Sequence, residues 1–248
     1  MADTSSNEST NGGPWSQRGF VAAAAFLGIV IVAAVGILLI APGDSSDSDR
    51  GTPPQGGNNG KPGASADPAA SVCGLEAGNG EIPQAPPDAE WELVGTIAAP
   101  KSAAIGPGID KGKRRLCFAH SPTGALFAAV NFIAVAAIAN NDDDLMRELT
   151  ASTKVRDELL AQGDAASGSD PALRMQVAGF RIVGASADEA TVELAFSATT
   201  SGQQGFIGMA LPMRWERGDW KVVIASATEP YAAQRLDSAS GYVRWSGA

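Results

Sequence analysis

The sequence predicts an α+β protein: one N-terminal transmembrane helix, a flexible linker, and a C-terminal domain of helices packed on an antiparallel sheet. Three observations carry this expectation. Residues 20–41 form an uncharged apolar run, and residues 42–72 are dominated by Gly, Pro, Ser, Asp and Asn. Beyond residue 119 the apolar pattern is first continuous, as in a buried helix, and then alternates with the period of strands.

The apolar run, FVAAAAFLGIVIVAAVGILLIA from Phe20 to Ala41, has 22 residues. At a helical rise this spans ~33 Å, enough for a ~30 Å hydrocarbon core. It exceeds the core of a cleavable signal peptide, carries the single positive residue Arg18 on its N-terminal flank, and is followed by no small-residue cleavage site. The reading is an uncleaved, single-pass anchor. Arg18 lies immediately before the span, whereas Asp44, Asp47 and Asp49 follow it with only Arg50 opposed. Proximity of the positive residue therefore places residues 1–19 in the cytoplasm and residues 42–248 outside it.

The chain's formal net charge is −9, and residues 42–90 account for most of it, with eight Asp or Glu against two Lys or Arg. The linker, residues 42–72, has too little apolar surface to offset the entropy of ordering it and is expected to be disordered. The remaining domain is near neutral, so no direct nucleic-acid partner is expected. Cys73 and Cys117 are the whole cysteine supply. They could be two buried thiols or one disulfide, and a location outside the cytoplasm favours the disulfide. Such a loop would contribute about 4 kcal/mol in chain-entropy terms.

Residues 73–118 read as an irregular lead-in rich in Pro and Gly, with Trp91, Leu93 and Val94 as anchors onto the core. Their basic cluster, Lys111, Lys113, Arg114 and Arg115, reads as a solvated loop before Cys117, because no aromatic residues interleave the charges. The folded domain is expected over residues 119–248. In SPTGALFAAVNFIAVAAIA (121–139), Ser121 is placed to cap a helix and Pro122 suits its first position. About 16 apolar residues interrupted by Asn131 suit a buried core helix better than a second span.

Asp142, Asp143 and Asp144 precede a second amphipathic helix, or a broken pair, carrying Leu145, Met146, Leu149, Val155, Leu159 and Leu160. Adjacent helical residues diverge by about 100°, so the three carboxylates suit a helix start better than a metal site. Four strands follow, near 174–184, 190–199, 205–215 and 220–225, with alternation clearest at Val192, Leu194 and Phe196. Short connections make the sheet antiparallel. The stretch MRWERGDWKVVI (213–224) contains Arg-Gly-Asp, a tripeptide some adhesion proteins present to receptors. Between two strands, Gly218 and its neighbours read as a hairpin turn with Trp215 and Trp220 at the strand ends.

Helices followed by about four antiparallel strands ending in RWERGDWKVVIA resemble the cone-shaped fold of the nuclear transport factor 2-like superfamily, over roughly residues 119–228. The local basis is the Trp-X-X-Gly-Asp-Trp-Lys-Val hairpin from Trp215 to Val222. With a short tail, a span and a linker, the whole resembles membrane-anchored assembly factors of conjugative type IV secretion systems. The stretch from Trp91 through GPGIDKGKRRLCFAHSPTGALFAA is similar to an actinobacterial family associated with mobile-element transfer, through Cys117, His120, Pro122, Gly124 and Ala125.

The resemblance implies a non-enzymatic scaffold that self-associates or docks other subunits of an envelope-spanning transfer complex. The alternative is an extracytoplasmic module that binds a ligand or cell-wall fragment in a cone-fold pocket, with Trp215, Trp220 or Trp245 stacking on sugars. An enzyme would need an acid–base pair, and His120 is the single histidine, beside a helix start where a structural hydrogen bond suffices. His120, Trp215 and Trp220 are the candidate pocket or interface residues. No catalytic residue, cofactor or metal site is expected, since phosphate-loop, dinucleotide and metal-spacing motifs do not occur.

Overall fold

The computed structural model describes residues 70–139, 142–162, 174–200, 203–227 and 230–247. The expected tail (1–19), transmembrane helix (20–41) and most of the linker lie outside the described residues. Among the described residues, no helix is long and apolar enough to cross a membrane. Among the described residues the architecture is α+β, with three helices against sheet, and no sheet closes on itself.

The first helix, α1 (Pro122–Ala136), begins as the sequence leads one to expect. Ser121 is extended, its Oγ accepts from the Gly124 N–H at 3.0 Å, and Pro122 occupies the first turn. Every residue from Gly124 to Val135 is buried. A helix apolar on all faces needs cover on all faces. The main sheet covers one side, and hairpin strands from the lead-in segment cover another. The helix ends at Ala136, short of the expected residue 139.

The second helical region is a broken pair, α2 (Asp143–Leu149) and α3 (Lys154–Ala161). Asp142 caps α2 by accepting from the Leu145 N–H, while Asp143 and Asp144 sit in its first turn, where the helix dipole favours them. The break falls where Thr150 turns extended and the Ala151 N–H donates to Val222 O, so sheet pairing interrupts the helix. Thr153 then caps α3.

The four expected strands appear as β5 (Arg174–Ala185), β6 (Glu189–Thr200), β7 (Gln203–Glu216) and β8 (Asp219–Val222). They pair antiparallel in that order. Val192, Leu194 and Phe196 of β6 and Leu211 and Met213 of β7 are buried, so the alternation reports the core face. Two register shifts in β5, between Val177 and Gly179 and between Ile182 and Gly184, mark bulges of the kind that increase local twist.

Two short strands extend this sheet and were not expected. The first, β9 (Ala232–Leu236), pairs with the early half of β7, and the second, β10 (Val243–Arg244), pairs with β5 at the far edge. Between them Tyr242 lies on the face opposite the core, with the Arg181 guanidinium 5.0 Å from its ring centroid. The chain then turns inward. Trp245 is 5% exposed and packs against Trp91, Phe127 and Phe180, while its Nε1–H donates to Pro87 O at 3.0 Å.

The lead-in segment departs most from expectation. Instead of irregular chain it contains two antiparallel hairpins, β1 (Glu90–Val94) with β2 (Ile97–Lys101), and β3 (Ile109–Lys111) with β4 (Arg114–Leu116). Strands of three to five residues are too short to show a period, and Pro100 inside β2 conceals it further. Their turns carry Gly95 and Gly112 with φ of 63° and 65°, where glycine relieves the strain. Trp91 and Val94 face the core as expected, but Leu93 points outward and is 75% exposed.

Trp245 is buried among Trp91, Phe127 and Phe180, so Trp245→Ala is expected to cost about 3–5 kcal/mol. Urea unfolding of the variant checks this, and a loss below about 1 kcal/mol would show that the C-terminal turn is peripheral.

Candidate functional site

The turn between β7 and β8 is the place where the sequence-derived candidates converge. Arg217 and Gly218 both have positive φ, 56° and 76°, which is the geometry of a two-residue hairpin turn matched to strand twist. Trp215 and Trp220 are direct cross-strand partners, with ring centroids 5.6 Å apart at 70°. Both indoles are buried.

His120 joins them. Its ring stacks on Trp215 at 4.0 Å and 8°, and meets Trp220 edge-on at 5.9 Å. Its Nε2 lies 2.7 Å from Ala187 O and 3.2 Å from Asp188 Oδ1 in the β5–β6 turn, and Asp188 O accepts from the Trp215 N–H. His120 therefore ties the start of α1 to two turns of the sheet. Gly124 permits this approach, because a Cβ there would run into Ala119 O.

Sequence reasoning missed Asp219, which organises this region. The side chain is 2% exposed. Its carboxylate accepts from the Cys117 N–H at 2.9 Å, the Phe118 N–H at 3.0 Å and its neighbour Trp220 N–H at 2.9 Å, and from Lys221 Nζ at 3.0 Å. Trp220 Nε1–H in turn donates to Ala119 O at 3.0 Å. The Arg-Gly-Asp tripeptide is thus a turn whose acid is consumed inside the protein. No local signal marks Asp219, since two of its donors lie about a hundred residues earlier, at separations of 102 and 101.

Cys73 and Cys117 are joined, with Cα atoms 6.1 Å apart, as the sequence reading expected. Cys117 is fully buried and has a φ of 67°. Its carbonyl accepts from the Gly108 N–H, so backbone and side chain are both held. The last residues assigned to the linker dock here too: Ser71 is buried and the Val72 N–H donates to Gly218 O at 2.8 Å.

A second polar cluster corrects the solvated-loop reading of residues 111–115. Arg115 is 3% exposed. Its Nε donates to Asn131 Oδ1 at 2.6 Å, and its Nη1 contacts Glu92 and Asp110, each at 3.0 Å. Asn131 donates its amide to Pro100 O and Phe127 O, which explains how a polar residue sits inside an otherwise apolar helix. Arg114 pairs with Glu148, and Lys113 Nζ donates to Ala139 O. A basic stretch became a clamp because hairpin geometry turns alternate residues inward. Hydrogen bonds from Lys101, then Arg115, hold the Glu92 carboxyl below its usual value, while Glu92 raises Lys101.

Two clefts lie elsewhere. One of about 350 Å³ is lined by Ser197, Thr199, Gln204, Phe206, Arg235 and Asp237, and one of about 120 Å³ by Glu193, Met209, Gln234 and Tyr242. Neither is lined by His120, Trp215 or Trp220. Among the described residues, no group of three or more His, Cys, Asp or Glu could hold a metal ion.

Fold and site together define a disulfide-crosslinked α+β domain whose helices pack on an antiparallel sheet. Residues 52–244 match the family described as "Domain of unknown function (DUF8175)", and the chain belongs to that family. No curated protein and no solved structure matches it.

Asp219→Asn keeps the volume but leaves Lys221 buried without its counter-charge. The expected cost is about 3–5 kcal/mol, read as a lower urea midpoint, and an unchanged midpoint would refute the hub role. Glu92 gives a pH prediction. With the folded carboxyl held low, its stabilisation is present above the unfolded value of 4.5 and is lost as pH falls through the folded value. The side chain is 38% exposed, so the effect is at most about 1 kcal/mol. Thermal unfolding between about pH 3 and 6 should therefore fall less steeply for Glu92→Gln than for the parent.

Proposed function

We propose that this chain is a single-pass membrane protein whose domain, held outside the cytoplasm, is a non-enzymatic scaffold for an envelope-spanning conjugative transfer or secretion complex. The observation that carries the placement is the Cys73–Cys117 crosslink in a domain that follows a 22-residue uncharged run. Disulfides persist in oxidising compartments and are rare in the cytosol. Helices packed on antiparallel strands are compatible with the cone-shaped fold of the nuclear transport factor 2-like superfamily. The docking role rests on the resemblance to membrane-anchored assembly factors, and self-association belongs to the same reading.

A scaffold interpretation of the His120 cluster is supported by its chemistry. The imidazole is stacked on Trp215 and bonded to a backbone carbonyl, so its contacts order three chain segments. The 350 Å³ cleft beside β9 favours the alternative, a ligand- or cell-wall-binding module. There the buried indoles cannot serve as a stacking platform, and Phe206 is the aromatic residue at hand.

Epitope tags at each end of the full chain, with protease added to intact cells, test the placement. The C-terminal tag should be lost and the N-terminal tag retained in the membrane fraction. The opposite pattern, or recovery of the chain as a soluble protein, would overturn the reading. Crosslinking in those membranes should then capture envelope subunits or a second copy, whereas retention on peptidoglycan fragments would favour the binding module.

A further inference from the structure

The point where the tether enters the domain is built unlike the rest of the fold. From Val72 to Asp88 no residue is fully buried. The start of this segment is fastened at the β7–β8 turn, where the Val72 N–H donates to Gly218 O at 2.8 Å and the Cys73 N–H contacts Cys117 Sγ at 3.1 Å. The two backbones touch, since a Cβ on Gly218 would meet Val72 N and Ala70 O. Gly108 leaves room for the crosslink, because a Cβ there would run into Cys73 Sγ. Beyond it, Leu75 and Ile82 are half-buried, Gly78 lies so close to Ser121 that a Cβ would strike it, and the Pro87 carbonyl accepts from Trp245 Nε1–H at 3.0 Å.

Cys117 has a different footing. It is fully buried, and its N–H and C=O are bonded to Asp219 and Gly108. Cys73 is exposed. One half of the crosslink is therefore part of the core, and the other half lies on a mostly exposed surface strap.

We propose that the Cys73–Cys117 disulfide is an openable clasp on the tether. Closed, it makes the chain leave the domain at the β7–β8 turn; opened by a dithiol reductant, it lets residues 71–86 peel away and moves the exit to Pro87. The significance of a tether rests on the membrane-anchor reading above. The exchange begins with a reductant thiolate attacking Sγ of Cys73, the more exposed residue of the pair. The S–S bond breaks, Cys117 departs as a thiolate and takes a proton, and the reductant's second thiol resolves the mixed disulfide to release Cys73 as a thiol. The dithiol loses two electrons and becomes a disulfide. Freeing residues 71–86 adds up to about 55 Å of contour length between membrane and domain. The clasp thus sets the reach of the domain and the face from which it hangs.

Hydrogen exchange read by mass spectrometry on the full chain in detergent micelles, with and without dithiothreitol, tests this in whichever compartment the protein resides. Reduction should accelerate exchange at least tenfold in peptides covering residues 70–86. Peptides covering residues 122–136 and 189–222 should accelerate several-fold less. Cys73→Ser should show the open pattern without reductant. Unchanged exchange at residues 70–86 in both samples would overturn the clasp, because other contacts would then suffice to hold the strap. Equal acceleration across the helix and sheet would also overturn it, because the bond would then be a staple of the whole fold.

Discussion

The Asp219 carboxylate is the constraint on which the arrangement of this domain depends. One buried anion gathers three backbone N–H groups and one ammonium, and two of those N–H groups belong to the segment that leads into α1. A buried charge is tolerated only when its lone pairs are occupied, and here two partners come from the Cys117–Phe118 segment and two from β8 itself. The hairpin turn presents the acid, the crosslinked Cys117 presents its amide, and Trp220 returns a bond to Ala119. Helix start, tether and sheet are therefore registered against one another at a single point. His120 adds a second tie between the same helix start and the opposite turn.

At the other side of α1, Arg115 and Asn131 solve a related problem. A helix buried on all faces cannot be oriented by hydrophobicity, because rotation about its axis changes little apolar area. A single asparagine with a guanidinium on its oxygen and two carbonyls on its nitrogen fixes that rotation. The β1–β2 and β3–β4 hairpins supply the guanidinium and the carbonyl of Pro100, so these small sheets orient the core helix as well as cover it. Polar specificity and apolar burial act together here.

Long elements were legible in the amino-acid pattern. Ser121 and Pro122 marked the helix start, and Asp142 marked the next. Alternation along β6 and β7 identified the face that packs on the helix. The Arg217–Gly218 turn followed from its glycine between two Trp-terminated strands. Short elements were not legible: three- and five-residue strands carry too few periods to rise above composition. Arg115 read as a solvent-facing charge for the same reason, since its inward direction comes from a hairpin that periodicity does not reveal. Leu93 was misjudged in the opposite sense, being apolar but on the outer side of its strand. Of the candidate site, His120, Trp215 and Trp220 could be named from the sequence, as could the Cys73–Cys117 pair. The carboxylate that unites them could not.

By itself the sequence determined the α+β class, the order of helices before long strands and the capped helix starts. These depend on local physics, where neighbouring residues decide turn, cap and period. Only the tertiary structure decided that Asp219 is an internal anion rather than a displayed ligand, that Arg115 is buried, and that Trp245 closes the core. Each of those outcomes depends on partners tens to more than a hundred residues away. Burial and pairing of a polar or aromatic side chain are properties of the assembled fold, and no short window of sequence contains them.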